Sequence, residues 1–270
     1  MNQAIAVMDS GVGGLTVVKE ILGQLPQEPV IYFGDTARAP YGSRDPEEVV
    51  RFTCEIADYL LRYQPKMIVL ACNTATAVAL EVIRSRVSLP VIGVIKPGAR
   101  AAIKASSNGR IGVIGTEGTV RSGAYDEALR EISPQLDIVS QACPELVPLV
   151  EAGDFRSSRV YDAVRRSLAP LKGRDRDCLI LGCTHYPFLA GPIAEAMGHD
   201  VQLINSAEET VREIGAILSY HEKLARPADS RPKHRFLCSG DPVMFHRIAQ
   251  AWLGDQLDEN AFVGQVHSTC

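Results

Sequence analysis

An apolar run that ends in a cysteine and a polar tip occurs twice in the chain. Residues 67–74 read MIVLACNT and residues 178–185 read CLILGCTH, so that Cys72 and Cys183 lie 111 positions apart (183 − 72). A second pair of segments, IAVMDSG at 5–11 and IGVIGTE at 111–117, recurs in the same order at an offset of 106. Two motifs that repeat at nearly one offset predict that the chain folds into two related halves.

Short β-branched runs alternate with longer helical patterns, which is typical of βαβ units and a parallel sheet. We therefore predict an α/β fold of two pseudo-symmetric domains, each a mostly parallel sheet flanked by helices. The predicted strands are Ala4–Met8, Val30–Phe33, Met67–Ala71, Val91–Ile95, Ile111–Gly115, Asp137–Ser140, Cys178–Leu181, Val201–Ile204 and Arg235–Cys238.

Two helix starts carry local signals. The run Asp45-Pro46-Glu47-Glu48 offers an N-cap and a proline in the first turn, and Ser206-Ala207-Glu208-Glu209 has the S-x-x-E pattern of a capping box.

Charge and the N-terminus limit the class of protein. The 28 Lys and Arg residues against 32 Asp and Glu give a net charge of −4, without a basic cluster, so nucleic acid is not expected as a main partner. The apolar run at 4–8 is too short for a signal peptide or a membrane span and lacks a basic start. We expect a cytoplasmic protein that does not bind membranes.

The cysteines exclude two common roles. Their number is seven, without a C-x-x-C pair, and the C-x4-C spacing of Cys178 and Cys183 has no matching partner pair for zinc. We expect no metal and no disulfides in a reducing compartment. Four cysteines are interpreted as small buried side chains and Cys270 as an exposed tail residue; the four are Cys54, Cys143, Cys178 and Cys238.

Polar side chains follow the predicted strands at the edge where parallel sheets bind ligands. They are Asp9, Ser10, Asn73, Thr74, Thr116, Thr184 and His185. If two similar halves face each other, Cys72 and Cys183 approach one cleft from opposite sides. A thiolate there removes a proton from carbon while a thiol delivers one to the opposite face. Such a pair is the layout of a racemase or epimerase, and it requires no cofactor.

The neighbouring groups suit a small zwitterion with carboxylates. Hydroxyls and an amide at helix starts favour anions, Asp9 is placed to hold an ammonium group or assist Cys72, and His185 to relay the proton of Cys183. The loop at 37–46 is placed to cover the cleft. The alternative readings are helix caps for Ser10, Thr74, Thr184 and Asp9, a structural histidine, and a surface aromatic at Tyr41. The duplicated cysteines favour a site.

Competing motifs are weak or missing. GVGGLT at 11–16 departs from a dinucleotide fingerprint at Thr16, and neither a P-loop nor a G-x-S-x-G elbow is present. Pyridoxal chemistry needs a lysine, and Lys96 is the lysine near a strand end, with no support for reaching the cysteines.

At these motifs the chain resembles the glutamate racemases of the aspartate/glutamate racemase superfamily. The resemblance runs nearly end to end, and ACNTAT and GCTHYP are its specific motifs. Aspartate racemases tend to differ where this chain has Thr76 and His185. The resemblance implies a substrate buried between two domains, made of residues 1–97 plus 207–270 and residues 98–206. It also implies cofactor-independent interconversion of L- and D-glutamate, D-glutamate for peptidoglycan, and a homodimer.

Carried over residue by residue, the resemblance implies that Cys72 is the base for D-glutamate and Cys183 the base for L-glutamate. Asp9 would support Cys72, and Glu151 and His185 would support Cys183. The implied substrate contacts are Asp9, Ser10, Tyr41, Gly42, Asn73, Thr74, Thr184 and His185, with Thr116 and Thr119 as further candidates. Two alternatives stay open: an aspartate racemase or related enzyme, and a non-catalytic regulatory binding partner.

Overall fold

The computed structural model describes residues 3–173, 175–226, 232–254 and 262–266. The strands are β1 (Ile5–Asp9), β2 (Val30–Gly34), β3 (Met67–Leu70), β4 (Val91–Gly93), β5 (Arg110–Gly115), β6 (Asp137–Ala142), β7 (Cys178–Gly182), β8 (Gln202–Ile204), β9 (Arg235–Cys238) and β10 (Phe262–Gln265). The helices are α1 (Leu15–Gln24), α2 (Pro46–Leu61), α3 (Asn73–Arg86), α4 (Ile95–Ala105), α5 (Glu117–Arg121), α6 (Ala124–Ile132), α7 (Leu146–Glu151), α8 (Ser158–Leu168), α9 (Ala190–Met197), α10 (Ser206–Tyr220) and α11 (Pro242–Leu253).

The described strands form two parallel sheets. The first has the order β10-β9-β2-β1-β3-β4 and the second the order β6-β5-β7-β8. The order β2-β1-β3-β4 in the first sheet corresponds to β6-β5-β7-β8 in the second. The repeated segments therefore fall on equivalent strands, β1 with β5 and β3 with β7. This confirms the predicted α/β class and the two related halves: a first half built on β1–β4, β9 and β10, and a second on β5–β8.

Helices cover both faces of each sheet, which explains why the strands read as continuous apolar runs. All five residues of β1 and of β7 are buried. In the first half, α1, α10 and α11 pack on one face, and α2 and α3 on the other. In the second half, α7, α8 and α9 pack on one face, and α4 and α6 on the other. Both sheets are therefore fixed from two sides, and only their edges and strand ends stay accessible.

The nine predicted strands are all present, and three local details differ. The predicted strand Val91–Ile95 ends at Gly93, because Val94 adopts helical backbone angles and α4 begins at Ile95. Ser206 is the first residue of α10 and not its cap; the side chain of Asn205 accepts the backbone N–H of Ala207 instead. Strand β10 was not predicted.

Asp45 caps α2, as predicted, by accepting the backbone N–H of Glu47.

The domain boundaries stay a prediction. Sheet membership is compatible with them, since the first sheet uses strands before residue 97 and after residue 207, and the second uses strands between them. Helix α4 runs across the predicted boundary at 97 and packs on the second sheet.

Among the described helices, none is both long enough and apolar enough to cross a bilayer.

A buried ion pair joins three segments of the first half. Lys66, just before β3, pairs with Glu28, just before β2, and both side chains are at most 3% exposed. Lys66 Nζ also donates to the carbonyl oxygen of Lys223 at 2.7 Å, and Glu28 Oε1 accepts the N–H of Ala225 at 2.7 Å. The pair therefore holds the segment after α10 against the sheet.

Replacement of Lys66 by methionine leaves the Glu28 carboxylate buried without its cation. We expect the free energy of unfolding to fall by about 3–5 kcal/mol in Lys66→Met, measured by urea denaturation. The control is Lys96→Met, because Lys96 pairs with Glu131 with both side chains more than half exposed, and such a pair contributes about 0–1 kcal/mol. Equal effects of the two substitutions would contradict the prediction.

Candidate active site

A cavity lies where the carboxyl ends of the two sheets meet. The space between its atoms, including the solvent at its open mouth, is about 330 Å³. The first half contributes Ser10, Pro40, Tyr41, Gly42, Cys72, Asn73 and Thr74; the second contributes Thr116, Val147, Glu151, Cys183, Thr184 and His185. Both repeated cysteines thus line one cavity, each from its own half, as the two-halves interpretation expects.

Cys72 is the N-cap of α3. Its Sγ accepts the backbone N–H of Ala75 at 3.5 Å and lies 3.5 Å from Ser10 Oγ. Burial, together with the negative charge of Asp9, raises the pKa of the Cys72 thiol to about 12. At neutral pH this sulfur therefore carries its proton and is a potential acid.

Cys183 follows β7 directly and lies beside a histidine. Its Sγ is 3.7 Å from His185 Nδ1, and His185 Nε2 is 3.3 Å from Glu151 Oε1, at the end of α7. Burial alone would lower the pKa of His185, but the contacts with Cys183 and Glu151 outweigh it and raise the pKa to about 10. His185 is therefore a cation at neutral pH, placed to stabilise a thiolate at Cys183.

Asp9 lies behind the cavity wall and is fully buried. Its carboxylate accepts the N–H of Gly11 at 3.0 Å and the hydroxyl of Thr184 at 3.4 Å. Burial raises the pKa of Asp9, and the positive charge of His185 opposes this rise. Because Asp9 is not among the lining residues, the geometry links it to the thiols through Thr184 and through its charge on Cys72.

Threonine hydroxyls from both halves meet at one side of the cavity. Thr74 Oγ1 lies 2.9 Å from Thr116 Oγ1 and 3.2 Å from Thr119 Oγ1. Thr116 also caps α5, accepting the N–H of Thr119 at 3.2 Å. Thr119 stays behind the wall, whereas Thr74 and Thr116 line the cavity. This cluster supplies hydroxyl donors at two helix starts, a setting that favours an anion.

The loop at 37–46 covers one side of the cavity, as predicted. The Tyr41 hydroxyl donates to Asp35, and Tyr41 is 1% exposed. Gly42 accepts the N–H of Gly118 through its carbonyl oxygen at 2.7 Å, which fastens the loop to the second half. The reading of Tyr41 as a surface aromatic is therefore wrong, and its hydroxyl is already occupied by Asp35.

The helix-cap readings of three polar residues are also wrong. The N-caps are Gly14 for α1, Cys72 for α3 and His185 for the short 3-10 helix Tyr186–Leu189. Ser10, Thr74 and Thr184 therefore do not cap these helices. Instead, Thr74 and Thr184 make side-chain hydrogen bonds to the other half of the molecule. These hydroxyls serve the cavity and the contact between the halves.

Two lining residues were missed by sequence reasoning. Pro40 directly precedes Tyr41 in the covering loop, so the prediction of Tyr41 as a substrate contact could have been extended to it. Val147 lies on α7 among other apolar residues and carries no local signal. Thr76, used above to separate two substrate classes, is absent from the lining; its hydroxyl donates to the Leu70 carbonyl at 2.9 Å.

The other four described cysteines lie outside the cavity lining. Cys143, Cys178 and Cys238 are buried and Cys54 is partly buried, while Cys270 lies outside the described residues. Within the described ranges, no group of three or more His, Cys, Asp or Glu side chains is arranged around a possible metal ion.

Comparison with known proteins assigns the family. A family model described as Asp/Glu/Hydantoin racemase matches residues 5–214. The chain belongs to this family. A glutamate racemase from Bacillus cereus is 51% identical over 96% of this chain and 96% of its own length. A crystal structure of a glutamate racemase from Bacillus anthracis superimposes with a TM-score of 0.92 at 47% identity, covering 98% of this chain and 97% of that one.

A second structure shows a relative with ligand. The glutamate racemase from Francisella tularensis subsp. tularensis SCHU S4, in complex with D-glutamate, has a TM-score of 0.89 at 30% identity and covers 98% of this chain and 97% of that one. The resemblance inferred from the motifs is therefore confirmed. As a member of the racemase family, the chain is an isomerase.

The glycine run at 11–14 serves close packing between the halves. A Cβ on Gly13 would lie 2.2 Å from Thr184 Oγ1 and 2.8 Å from His185 Nδ1, so no larger residue fits while these side chains hold their places. The segment at 11–16 thus brings the first half against Thr184 and His185 of the second.

We expect Gly13→Ala to lower kcat/KM for racemisation at least about 100-fold, because displacement of a site group by about 1 Å costs that much. The control is Gly23→Ala in α1, where no atom lies within 4 Å of the added Cβ and activity should match the wild type. Circular dichroism at a fixed wavelength follows the change of enantiomer. Wild-type activity in Gly13→Ala would show that His185 tolerates displacement.

Proposed function

We propose that the chain interconverts L- and D-glutamate without a cofactor, with Cys72 and Cys183 as the two acid–base groups. The observation that carries the proposal is that the two thiols enter one cavity from the two halves of the molecule. The relatives named above as glutamate racemases support the choice of substrate. D-Glutamate bound to the Francisella enzyme supports it further.

The neighbours of the two thiols suggest the steps from L- to D-glutamate. In the proposed step, the Cys183 thiolate, paired with the His185 cation, removes the Cα proton of L-glutamate, so that the C–H bond breaks and an S–H bond forms. The Cys72 thiol then delivers its proton to the opposite face of the planar carbanion. The enzyme is left with a thiol at Cys183 and a thiolate at Cys72, ready for D-glutamate. Because burial raises the pKa of Cys72, that thiolate is a strong base.

Hydroxyls, amides, backbone N–H groups and the His185 cation are proposed to hold the substrate. Among the described residues that line the cavity there is neither lysine nor arginine, so these are the donors left for the carboxylates. We assign these contacts to Ser10, Tyr41, Gly42, Asn73, Thr74, Thr184 and His185, with Tyr41 contributing through its ring and backbone. Glu151, which lines the cavity, supplies the negative charge that the ammonium group requires. Asp9, expected from the motifs to contact the substrate, lies behind the wall, so its charge acts there without direct contact.

We further propose that the product D-glutamate is used in peptidoglycan synthesis, that the chain acts in the cytoplasm, and that it forms a homodimer. These proposals follow from the similarity to glutamate racemases over nearly the whole chain.

The two-base assignment predicts different exchange in the two cysteine variants. In D₂O, Cys72→Ala should exchange the Cα proton of L-glutamate only, and Cys183→Ala that of D-glutamate only, because each keeps one base. Racemisation should fall by at least about 10³-fold in both variants, since general acid–base groups contribute about 10²–10⁴-fold each. Proton NMR measures exchange, and Cys54→Ala serves as the control on a partly buried cysteine outside the cavity.

Retention of racemisation in either variant would contradict the mechanism, as would exchange of the same enantiomer in both.

The choice between glutamate and aspartate is tested by kcat/KM. We expect glutamate to exceed aspartate by at least about 10–200-fold, because loss of one methylene in a fitted site costs about 1–3 kcal/mol. Polarimetry with each pure enantiomer, without added pyridoxal phosphate or metal, provides the measurement. A higher value for aspartate would replace the proposed substrate while leaving the two-base chemistry intact.

A further inference from the structure

Asn73 lines the cavity next to Cys72 and has a side-chain amide with an unused donor. The residue is the first of α3 and is 3% exposed. Its Nδ2 atom is buried and has no hydrogen-bond partner among the described residues. Buried amide N–H groups are normally paired, because leaving one unpaired is unfavourable. The unpaired donor therefore indicates a ligand acceptor.

The other end of this amide is held by the second half of the molecule. The Tyr125 hydroxyl, carried by α6, donates to Asn73 Oδ1 at 2.7 Å. Tyr125 is 2% exposed. Burial raises its pKa, so the hydroxyl keeps its proton and acts as the donor. With Oδ1 turned to Tyr125, Nδ2 is the end of the amide that is left for the cavity.

The ring of Tyr125 lies close to two glycines. A Cβ on Gly182, the last residue of β7, would lie 3.0 Å from Tyr125 Cε2, and one on Gly98 would lie 3.3 Å from its hydroxyl. The ring packs in the same cluster as Ile95 and Ala99 of α4. The glycines at 98 and 182 thus leave room for this ring, and the apolar cluster around it limits the positions that the hydroxyl can take.

We infer that Tyr125 is a positioning residue that orients the Asn73 amide so that its N–H donates to a carboxylate of the substrate. The inference rests on the proposed function, since it requires a carboxylate in the cavity. The reversed amide would present Oδ1 to that carboxylate, and two acceptors repel each other. Because Asn73 and Tyr125 belong to different halves, the amide is oriented only while the halves are in contact.

The test removes only the hydroxyl. In Tyr125→Phe we expect KM for both enantiomers of glutamate to rise about tenfold, as for loss of one hydrogen bond to a charged group, with kcat changed less than about threefold. Tyr59→Phe is the control and should keep the wild-type KM, because it removes a partly buried hydroxyl on α2 that is bonded to Tyr63, away from the cavity. An unchanged KM in Tyr125→Phe would overturn the inference.

A double-mutant cycle separates positioning from general destabilisation. If Tyr125 acts through Asn73, the KM of Tyr125→Phe/Asn73→Ala equals that of Asn73→Ala alone. Independent, multiplying effects would overturn the inference. If Tyr125→Phe does not fold, a structure of the wild-type enzyme with D-glutamate provides the test. In that structure Nδ2 of Asn73 should contact a carboxylate oxygen of the ligand, and Oδ1 of Asn73 should accept from Tyr125. The reverse orientation of the amide would contradict the inference.

The same measurements separate this inference from the proposed function. Wild-type enzyme that does not racemise glutamate overturns both. If the wild-type enzyme racemises glutamate and Tyr125→Phe has an unchanged KM, only the role of Tyr125 is overturned.

Discussion

The contact between the carboxyl ends of two parallel sheets is the constraint on which the rest of the molecule depends. Each sheet alone carries a cysteine just beyond the carboxyl end of a strand, an arrangement with little chemistry of its own. Facing each other, the sheets bury both cysteines, each 6% exposed, in one cavity. The contact relies on fine features such as Gly13, which leaves room for Thr184, and Gly42, whose carbonyl oxygen is bonded by Gly118.

Burial at this contact sets the two thiols apart. Cys72 has a serine, a backbone N–H and the Asp9 charge as neighbours, so loss of water keeps it protonated. Cys183 has the His185 cation beside it, supported by Glu151. The sequence repeat makes the thiols look equivalent, whereas their surroundings differ: Cys72 is buried beside a carboxylate and Cys183 beside a histidine. Two similar strands therefore place two thiols in unlike environments.

Much of the fold was readable in the sequence because parallel strands and helix starts have local signals. The run at 67–74 shows both a buried strand and its polar tip, and all nine predicted strands are present. Errors occurred where a neighbour decided the outcome: Asn205 replaced Ser206 as the cap of α10, and Val94 turned the chain early into α4. For the cavity, residues adjoining strand ends were found, whereas Val147 and the Tyr125–Asn73 bond were not, since they depend on long-range packing.

The sequence by itself determined the strand–helix alternation, the duplication, and the identity of the residues at the strand ends, because each follows from period, composition and order along the chain. Only the tertiary structure decided that Asp9 lies behind the cavity, that Tyr41 gives its hydroxyl to Asp35, and that Asn73 is held from the other half. The physical reason is that burial and hydrogen-bond partners belong to side chains brought together across the fold, and no local pattern records which partner a polar group meets.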